Sequence, residues 1–225
     1  MPEGWANLVE DLVGLDRERA SELVACCSIL TTTDGGETGI PVDAALVLVE
    51  SGTVLLAAPA AAGRAPILAF ARRGELLVPP VGREALVGLG GGSIRIVDGG
   101  TLEELLSIRG VGAVLIERLG AVVRDRQESL RLAAVTPQRE RVREKLLQLA
   151  RSHGRVRADG VRIALPLTHD LLARAVGASR ETVTLAMREL RREGFLARSG
   201  RSYVLRVQAR ELDTMSPLPV PSPFR

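Results

Sequence analysis

The sequence predicts an α+β protein in which an antiparallel β domain is followed by a long helix and then by a winged helix-turn-helix. Short apolar runs separated by glycine and proline fill residues 29–97, and an unbroken helical pattern covers residues 111–134. Two short helices and a hairpin follow between residues 168 and 205. Short strands at regular intervals are typical of antiparallel sandwiches and barrels, and closely joined helices are typical of a helical hairpin.

Composition and charge restrict the classes of function. The 225 residues are 46% hydrophobic and 25% charged, which is ordinary globular composition. No apolar stretch approaches the roughly 18 residues of a spanning helix, and Met1–Gly4 lacks the pattern of a signal peptide, so a cytoplasmic protein without membrane contact is expected. Residues 1–135 carry 12 Arg against 18 acids, net −6, whereas residues 136–215 carry 16 Arg and 1 Lys against 9 acids, net +8. Only the second part is therefore expected to meet a polyanion.

The β domain is predicted from six apolar runs. Turns are expected where glycine or proline interrupts them, including Ser51-Gly52 and Gly90-Gly91-Gly92. A helical segment from Trp5 to Cys26 precedes the runs, and a short helix opened by Thr101 follows them. The runs themselves are Ala44–Val49, Val54–Leu56, Ile67–Phe70, Glu75–Val78, Leu86–Val87 and Ser93–Val97.

The long helix at residues 111–134 has a seam with a coiled-coil spacing. Its positions recur at alternating steps of four and three and are apolar in the first half, which favours pairing with a second copy of the helix. The alternative is a helix that packs only on its own β domain. The seam consists of Leu115, Leu119, Val122, Arg126, Ser129 and Ala133. Beyond it, Thr136-Pro137 predicts the start of the next helix, with Thr as the cap and Pro at the first helical position.

Residues 168–190 predict a helix-turn-helix. Thr168 and Ser179 can each cap a helix, and only Gly177 and Ala178 separate the end of the first helix from the second cap. A tight crossing needs a small residue at the contact, a turn residue that tolerates positive φ and an apolar anchor, which Ala173, Gly177 and Val183 supply. The opposite face of the second helix is expected to present Arg180, Glu181, Thr184, Leu185 and Arg188. This pattern predicts DNA binding, and a purely structural helical hairpin is the alternative.

These residues resemble a known family. Ser179-Arg180-Glu181-Thr182-Val183, with Val176-Gly177-Ala178 before it and a hairpin wing after it, closely resembles the DNA-binding domain of the Crp/Fnr superfamily. A weaker similarity extends through residues 45–54 and 67–75 to the family's β-roll. The resemblance implies a β-roll sensor-like domain with N-terminal helices at 1–110, a dimerisation helix at 111–135, a winged helix-turn-helix at 136–210 and a proline-rich tail at 211–225.

The resemblance also implies roles for individual residues at the DNA. Arg180 and Glu181 are expected to contact base edges, because Arg donates two hydrogen bonds to guanine and Glu accepts one from cytosine. Leu185 stands where the cyclic-AMP receptor has a third base-reading Arg, so the half-site should differ there, unless Leu185 turns inward against the first helix. Phosphate contacts are expected from Thr168, His169, Ser179, Thr182, Ser199 and Arg201.

The effector pocket implied by the resemblance is degenerate. Gly74-Glu75 is followed by Val78-Pro79-Pro80, where cyclic-nucleotide binders have another Gly-Glu. Arg83 is the candidate for a remaining phosphate arginine, although an ordinary surface salt bridge is the alternative for it. Glu84 places a negative charge where the family has a hydroxyl, and its repulsion opposes phosphate binding. A regulator that works without cyclic AMP is therefore expected.

The sequence contains few residues that could hold the cofactors of other sensors in this family. Two adjacent cysteines, Cys26 and Cys27, cannot hold an iron-sulfur cluster, and both histidines, His153 and His169, lie outside the β domain that would bind haem. We expect no metal and no cofactor. The two cysteines are expected to pack at a helix end, and a redox-active pair of neighbouring thiols is the alternative.

The expected protein is thus a homodimeric regulator that binds double-stranded DNA at a pseudo-palindromic site, rather than an enzyme. One alternative is a regulator gated by an unidentified small molecule in the β-roll. Another is an enzyme built on the β domain, as in cupins, which the absence of His from residues 29–97 disfavours. The hairpin at 153–162 resembles the part of family activators that contacts RNA polymerase. RNA polymerase is therefore a candidate partner, and the alternative is a solvent-exposed hairpin that binds no partner.

Overall fold

The computed structural model describes residues 15–59, 65–79, 84–135, 137–200 and 202–207. The chain divides into two compact units, residues 1–131 and residues 132–225. The predicted helical segment before Leu15, the pocket residue Arg83, the wing residue Arg201 and the proline-rich tail lie outside the described residues.

The first unit is an antiparallel sheet with helices before and after it. Its main strand order is β1-β6-β3-β4, with β2 paired to β6 and β5 paired to β3. This arrangement confirms the predicted α+β class. The elements are α1 (Leu15–Cys26), β1 (Ser28–Thr32), β2 (Glu37–Thr38), β3 (Ala44–Ala57), β4 (Ile67–Arg72), β5 (Leu76–Leu77), β6 (Ala85–Asp98), α2 (Gly99–Leu106) and α3 (Val111–Val135).

Two of the turns predicted from glycine are wrong. The chain passes through Ser51-Gly52 within β3 and through Gly90-Gly91-Gly92 within β6, and both strands are 14 residues long. A Cβ on Gly52 would lie 2.3 Å from the carbonyl oxygen of Gly91, and one on Gly92 would lie 2.3 Å from that of Ser51. The glycines therefore allow two bent strands to approach closely where the pairing register shifts, instead of ending them.

The strand β3 separates two clusters of buried side chains, because successive residues point to opposite faces of a sheet. Leu46 and Leu48 pack with residues of α1, α2 and the start of α3. Val47 and Val49 pack with residues of β4, β5 and β6 on the other face. The helices thus cover one face of the sheet, whereas side chains on the other face pack against other strands of the same sheet.

The helix α2 begins earlier than predicted. Its N-cap is Asp98, whose carboxylate accepts hydrogen bonds from the backbone N–H of Thr101 at 2.8 Å and from the Thr101 hydroxyl at 3.0 Å. Thr101 therefore lies inside the first turn and does not open the helix. These hydrogen bonds to the charged carboxylate lower the pKa of Asp98.

The predicted seam of the long helix also needs a correction. Leu115 is 4% exposed and packs in the core of its own unit, and Leu119 packs against the same core. A different stripe of the helix is open: Ile116, Val123 and Leu130 are 74%, 52% and 70% exposed. The exposed apolar stripe is displaced by one position from Leu115 because the β domain occupies the neighbouring face.

The second unit consists of a helix, a hairpin, two short helices and a second hairpin. Its elements are α4 (Gln138–His153), β7 (Gly154–Arg157), β8 (Gly160–Ile163), α5 (His169–Val176), α6 (Arg180–Arg192), β9 (Leu196–Ser199) and β10 (Ser202–Leu205). The four strands form one sheet in the order β7-β8-β10-β9. This is the predicted winged helix-turn-helix. Pro137, predicted at the first helical position of α4, is instead its N-cap and contributes no side-chain cap, and Thr136 lies outside the described residues.

Candidate nucleic-acid interface

The two helices of the helix-turn-helix begin at hydroxyl caps, as predicted. Thr168 Oγ1 accepts a hydrogen bond from the backbone N–H of Leu171 at 3.1 Å, and Ser179 Oγ accepts one from Thr182 at 3.1 Å. The hydroxyls of Ser179 and Thr182 also lie 3.0 Å apart. Such helix N-termini present free N–H groups and the positive end of the helix dipole, which suit phosphate oxygens.

The turn between the helices depends on Gly177. This residue ends α5 in the left-handed conformation, with φ 64° and ψ 44°. After it, the backbone N–H of Ala178 donates to the carbonyl of Ala173, which is 4% exposed. Val183 is fully buried on the inner face of α6. The small residue, the turn glycine and the apolar anchor therefore occupy the places predicted for them.

The outer face of α6 carries the predicted base-contacting residues. A shallow depression of about 250 Å³ runs along it, lined by Arg180, Glu181, Thr184, Leu185 and Arg188. Leu185 is 54% exposed, which excludes the alternative that it packs inward against α5. The buried side of the helix holds Val183, Ala186, Met187 and Leu190. A helix with one face anchored and the other open and polar can enter a major groove.

His169 joins the two helices at this surface. Its Nδ1 lies 2.9 Å from Thr184 Oγ1, and the Thr184 hydroxyl donates to the carbonyl of Arg180 at 2.8 Å. Desolvation lowers the pKa of His169, and the positive charges of Arg191, Arg180 and Arg198 lower it further. The imidazole is therefore held neutral over a wider pH range than a free histidine.

Contacts that sequence reasoning missed hold the far end of α6. Arg139 of α4 forms ion pairs with Glu193 and, at 3.2 Å, with Glu189. The guanidinium of Arg143 stacks 4.9 Å from the ring centre of Phe195. The sequence around Glu189 does not indicate these contacts, because the partners of Glu189 and Glu193 lie about 50 residues earlier in the chain.

The wing follows α6 as predicted. Ser199 ends β9 as an exposed residue, and Gly200 takes a left-handed conformation with φ 59° at the tip. Arg198 Nε donates to the carbonyl of Gly200 at 3.1 Å, which braces this turn. The Ser199 side chain is therefore accessible to a binding partner at the surface.

Two of the three residues assigned to the degenerate effector pocket, Glu75 and Glu84, are described, and they lie in different surroundings. Glu75 pairs with Arg72, with Arg72 Nε 3.0 Å from Glu75 Oε1. Burial raises the pKa of Glu75, against the opposing effect of the Arg72 hydrogen bonds. Glu84 instead lines a cleft of about 670 Å³ together with Glu37, and Glu75 is not among the described residues that line it.

The two cysteines differ in their surroundings. Cys26 is exposed and Cys27 is buried, and both are free thiols. Burial raises the pKa of the Cys27 thiol, so it has less thiolate than an ordinary cysteine. Within the described ranges, no group of three or more His, Cys, Asp or Glu residues is arranged to hold a metal ion. None of the described helices combines the length and the apolar character that crossing a bilayer requires.

Sequence comparisons identify the second unit. Residues 140–212 match the family of Crp-like helix-turn-helix domains. A stretch of 65 residues is 37% identical to the CRP-like cAMP-activated global transcriptional regulator of Mycobacterium tuberculosis. That match covers 29% of this chain and 29% of the regulator, so the chain spans less than a third of the length of the curated relatives that it matches.

Solved structures with the same fold cover most of the chain. A CooA mutant from Carboxydothermus hydrogenoformans superposes with a TM-score of 0.72 at 18% identity, covering 86% of this chain and 89% of that one. FixK2 from Bradyrhizobium japonicum gives a TM-score of 0.69 at 24% identity over 86% and 99% of the two chains. A CRP/FNR-family transcriptional regulator from Thermus thermophilus gives 0.59 at 21% identity over 83% and 97%.

The second unit is thus a Crp-like helix-turn-helix domain, the class of DNA-binding module that its capped helices and wing define. Over more than four fifths of its length the chain shares the fold of these solved structures, and the Crp-like match at residues 140–212 confirms the resemblance predicted from Ser179–Val183.

Proposed function

We propose that this protein is a sequence-specific transcription regulator of the Crp/Fnr type, which binds a pseudo-palindromic DNA site as a homodimer and does so without cyclic AMP. The observation that carries the proposal is the outer face of α6. There Arg180, Glu181 and Leu185 are exposed side by side on a helix whose other face is anchored in the core. The basic second unit supplies the electrostatic attraction for a polyanion.

The residues of this face have the chemistry of base readout. Arg180 can donate two hydrogen bonds to the O6 and N7 atoms of guanine, and Glu181 can accept one from the amino group of cytosine. Both stand in the first turn of α6, which in helix-turn-helix proteins contacts base edges. Leu185 offers an apolar surface one turn further along, which suits a thymine methyl group.

Phosphate contacts in the proposal come from the helix ends and the wing. Thr168, Ser179 and Thr182 have hydroxyls at the two N-termini, and Ser199 and Arg201 belong to the wing. His169 can join them only in its charged form. Its Nδ1 proton is used on Thr184, and a neutral ring therefore has no Nε2 proton to donate to a phosphate oxygen.

A second copy of the chain is the partner proposed for α3. Ile116, Val123 and Leu130 are separated by seven residues each and are exposed, although large aliphatic side chains usually lie inside. A heptad spacing keeps such residues on one seam of a two-stranded coiled coil. Two helices packed along this stripe would bury it, and a two-fold dimer would match a pseudo-palindromic DNA site.

The independence from cyclic AMP rests on the first unit. Glu84 and Glu37 both line the cleft in this unit, and two carboxylates oppose a phosphate. The cleft is large enough to hold a small molecule. It therefore supports the alternative of a regulator that is gated by a ligand other than cyclic AMP, one that tolerates neighbouring carboxylates. RNA polymerase is proposed as a further partner through the hairpin at 153–162, where Val156 is 71% exposed.

The experiment that tests the proposal is selection of bound sequences from random duplex DNA by the purified full chain, with no ligand added. We expect enrichment of an inverted repeat whose half-sites are one helical turn apart or a multiple of it. Enrichment only after a small-molecule extract is added would favour the gated alternative. Failure to enrich any sequence under both conditions would contradict DNA recognition.

A further inference from the structure

A second basic surface lies on the sheet of the second unit, on the hairpin at 153–162 and apart from the residues assigned to DNA above. It is a groove of about 290 Å³ whose lining includes Arg155 and Arg157 of β7, Arg162 of β8 and Ser202 of β10. Pro166, in the loop before α5, also lines it. The Crp-type base and phosphate contacts described above use none of the three arginines.

The arrangement of these arginines is unfavourable without a partner. Arg155 stands directly opposite Arg162 in the register of β7 and β8, and Arg157 lies two residues from Arg155 on the same face of the strand. Like charges directly opposite each other destabilise a sheet. Among the described residues, no carboxylate forms an ion pair with any of the three, and Asp159, the one acid of the hairpin at 153–162, forms none either.

One of the three guanidinium groups is already positioned. Arg162 Nη2 donates to Ser202 Oγ at 2.9 Å, which fixes the side chain across the junction of β8 and β10. The neighbouring Arg155 and Arg157 are exposed at the rim. Arginine forks bind the paired oxygens of phosphate with two hydrogen bonds, so an oriented arginine beside two exposed ones forms a suitable phosphate site.

The position of the groove favours one polyanion. Its strand β8 pairs with β10, which is one of the two strands of the wing, and Pro166 lies two residues before Thr168, the cap of α5. The groove thus borders both elements that the proposed function assigns to DNA phosphates. We propose that Arg155, Arg157 and Arg162 bind the phosphate backbone of duplex DNA that flanks the half-site read by α6. This inference rests on the proposed function.

The test compares two duplexes that carry the selected site, one trimmed to the site and one extended by about ten base pairs, roughly one helical turn, on each side. Binding of the full chain is measured over a salt series with wild type and Arg155→Ala/Arg157→Ala. The variant should lose its contacts to two phosphates. When the salt rises from about 50 to about 200 mM, the affinity of wild type for the long duplex should therefore fall about tenfold further than that of the variant. On the trimmed duplex the two proteins should behave alike.

A matched control separates the groove from general charge. Arg192→Ala removes one exposed arginine from the last turn of α6, outside the groove, and Arg157→Ala removes one from inside it. Arg157→Ala should weaken binding to the long duplex, whereas Arg192→Ala should leave the difference between the duplexes unchanged. Melting curves of each variant establish that it is folded.

The outcomes distinguish the two proposals. If the double variant binds both duplexes as wild type does, the groove is not a DNA contact, and an acidic protein segment becomes the partner to examine. If it weakens both duplexes equally, the contact lies within the half-site and the flanking role is overturned. If wild type itself selects no site, the failure belongs to the proposed function, and the inference falls with it.

Discussion

Thr184 and His169 connect α6 to α5, the helix before it. The Thr184 hydroxyl has one proton, which it donates to the carbonyl of Arg180 at 2.8 Å, so at its 2.9 Å contact with His169 it must accept. The proton of the neutral imidazole therefore resides on Nδ1. A single side chain thus ties the first turn of α6 to the first residue of α5 and determines which histidine tautomer is present.

Protonation of His169 should destabilise the folded protein. Burial and three nearby arginines lower the pKa of His169 below its ordinary value of 6.5. Between that lowered pKa and 6.5 the unfolded chain binds more protons, so the free energy of unfolding falls as the pH falls. Urea unfolding of wild type and His169→Asn should show a stability difference that is constant above about pH 7 and that shrinks as the pH is lowered below about 6.5.

Asparagine serves as the matched variant because its amide nitrogen, attached to Cγ as Nδ1 of histidine is, can still donate to Thr184 without titrating. A stability difference that does not change between about pH 5 and about pH 7 would contradict the lowered pKa of His169.

Replacing Gly177 should destabilise the helix-turn-helix through the backbone alone. Its φ is +64°, and a Cβ built there meets no atom within 4 Å, so the strain of the left-handed conformation is the main cost. We expect Gly177→Ala to lower the free energy of unfolding by about 1 to 2 kcal/mol. Gly177→Asn should lose less, because Asn tolerates this conformation. Equal losses for Ala and Asn in a denaturant titration would show that the conformation at Gly177 is not the cause.

Removing Arg180 should reduce specificity more than general affinity. If Arg180 reads a guanine, Arg180→Ala should cost about 1 to 3 kcal/mol on the selected site and relax one base preference. Competition with random DNA measures the two effects separately, and Arg192→Ala at the other end of the helix is the control. A loss of the same size on specific and random DNA would assign Arg180 to the phosphates.

Replacing Leu185 with arginine should change the preferred half-site. Leu185 is 54% exposed, so the longer side chain can be accommodated without disturbing the core. We expect Leu185→Arg to create a guanine preference of about 1 to 3 kcal/mol at one position, if the two-bond geometry is reached. Selected motifs of wild type and variant are compared directly. Identical motifs from the two proteins would place position 185 outside the base-reading surface.

A charge on the exposed stripe of α3 should dissociate the dimer. Val123 is 52% exposed in the single chain, so Val123→Glu should leave the fold of each copy intact while burying a carboxylate in the paired state. We expect the dimer dissociation constant to rise by at least about tenfold in sedimentation experiments. Arg124→Glu, on the neighbouring exposed position, is the control. If Val123→Glu remains as dimeric as wild type, pairing through this stripe is wrong.

Local chemistry made the helix-turn-helix predictable from sequence. Hydroxyl caps at Thr168 and Ser179, the glycine at 177 and the apolar positions of α6 act within a few residues of one another. Each therefore leaves a signature in a short stretch of chain. The same holds for the hairpin after α4, where Ala158 and Asp159 form a two-residue turn before Gly160, and for the apolar run Ala44–Val49 that begins β3.

The sequence by itself thus determined the α+β class, which face of α6 is exposed and the division of charge along the chain. Only the tertiary structure decided that Gly52 and Gly91 lie within two bent strands that pair with each other, that Leu115 is buried so that Ile116 is the exposed residue, and that Arg155 faces Arg162. The physical reason is common to all three. Each depends on which distant segment packs against a residue. The pattern of nearby residues in the chain reflects the local conformation, but it does not identify that distant segment.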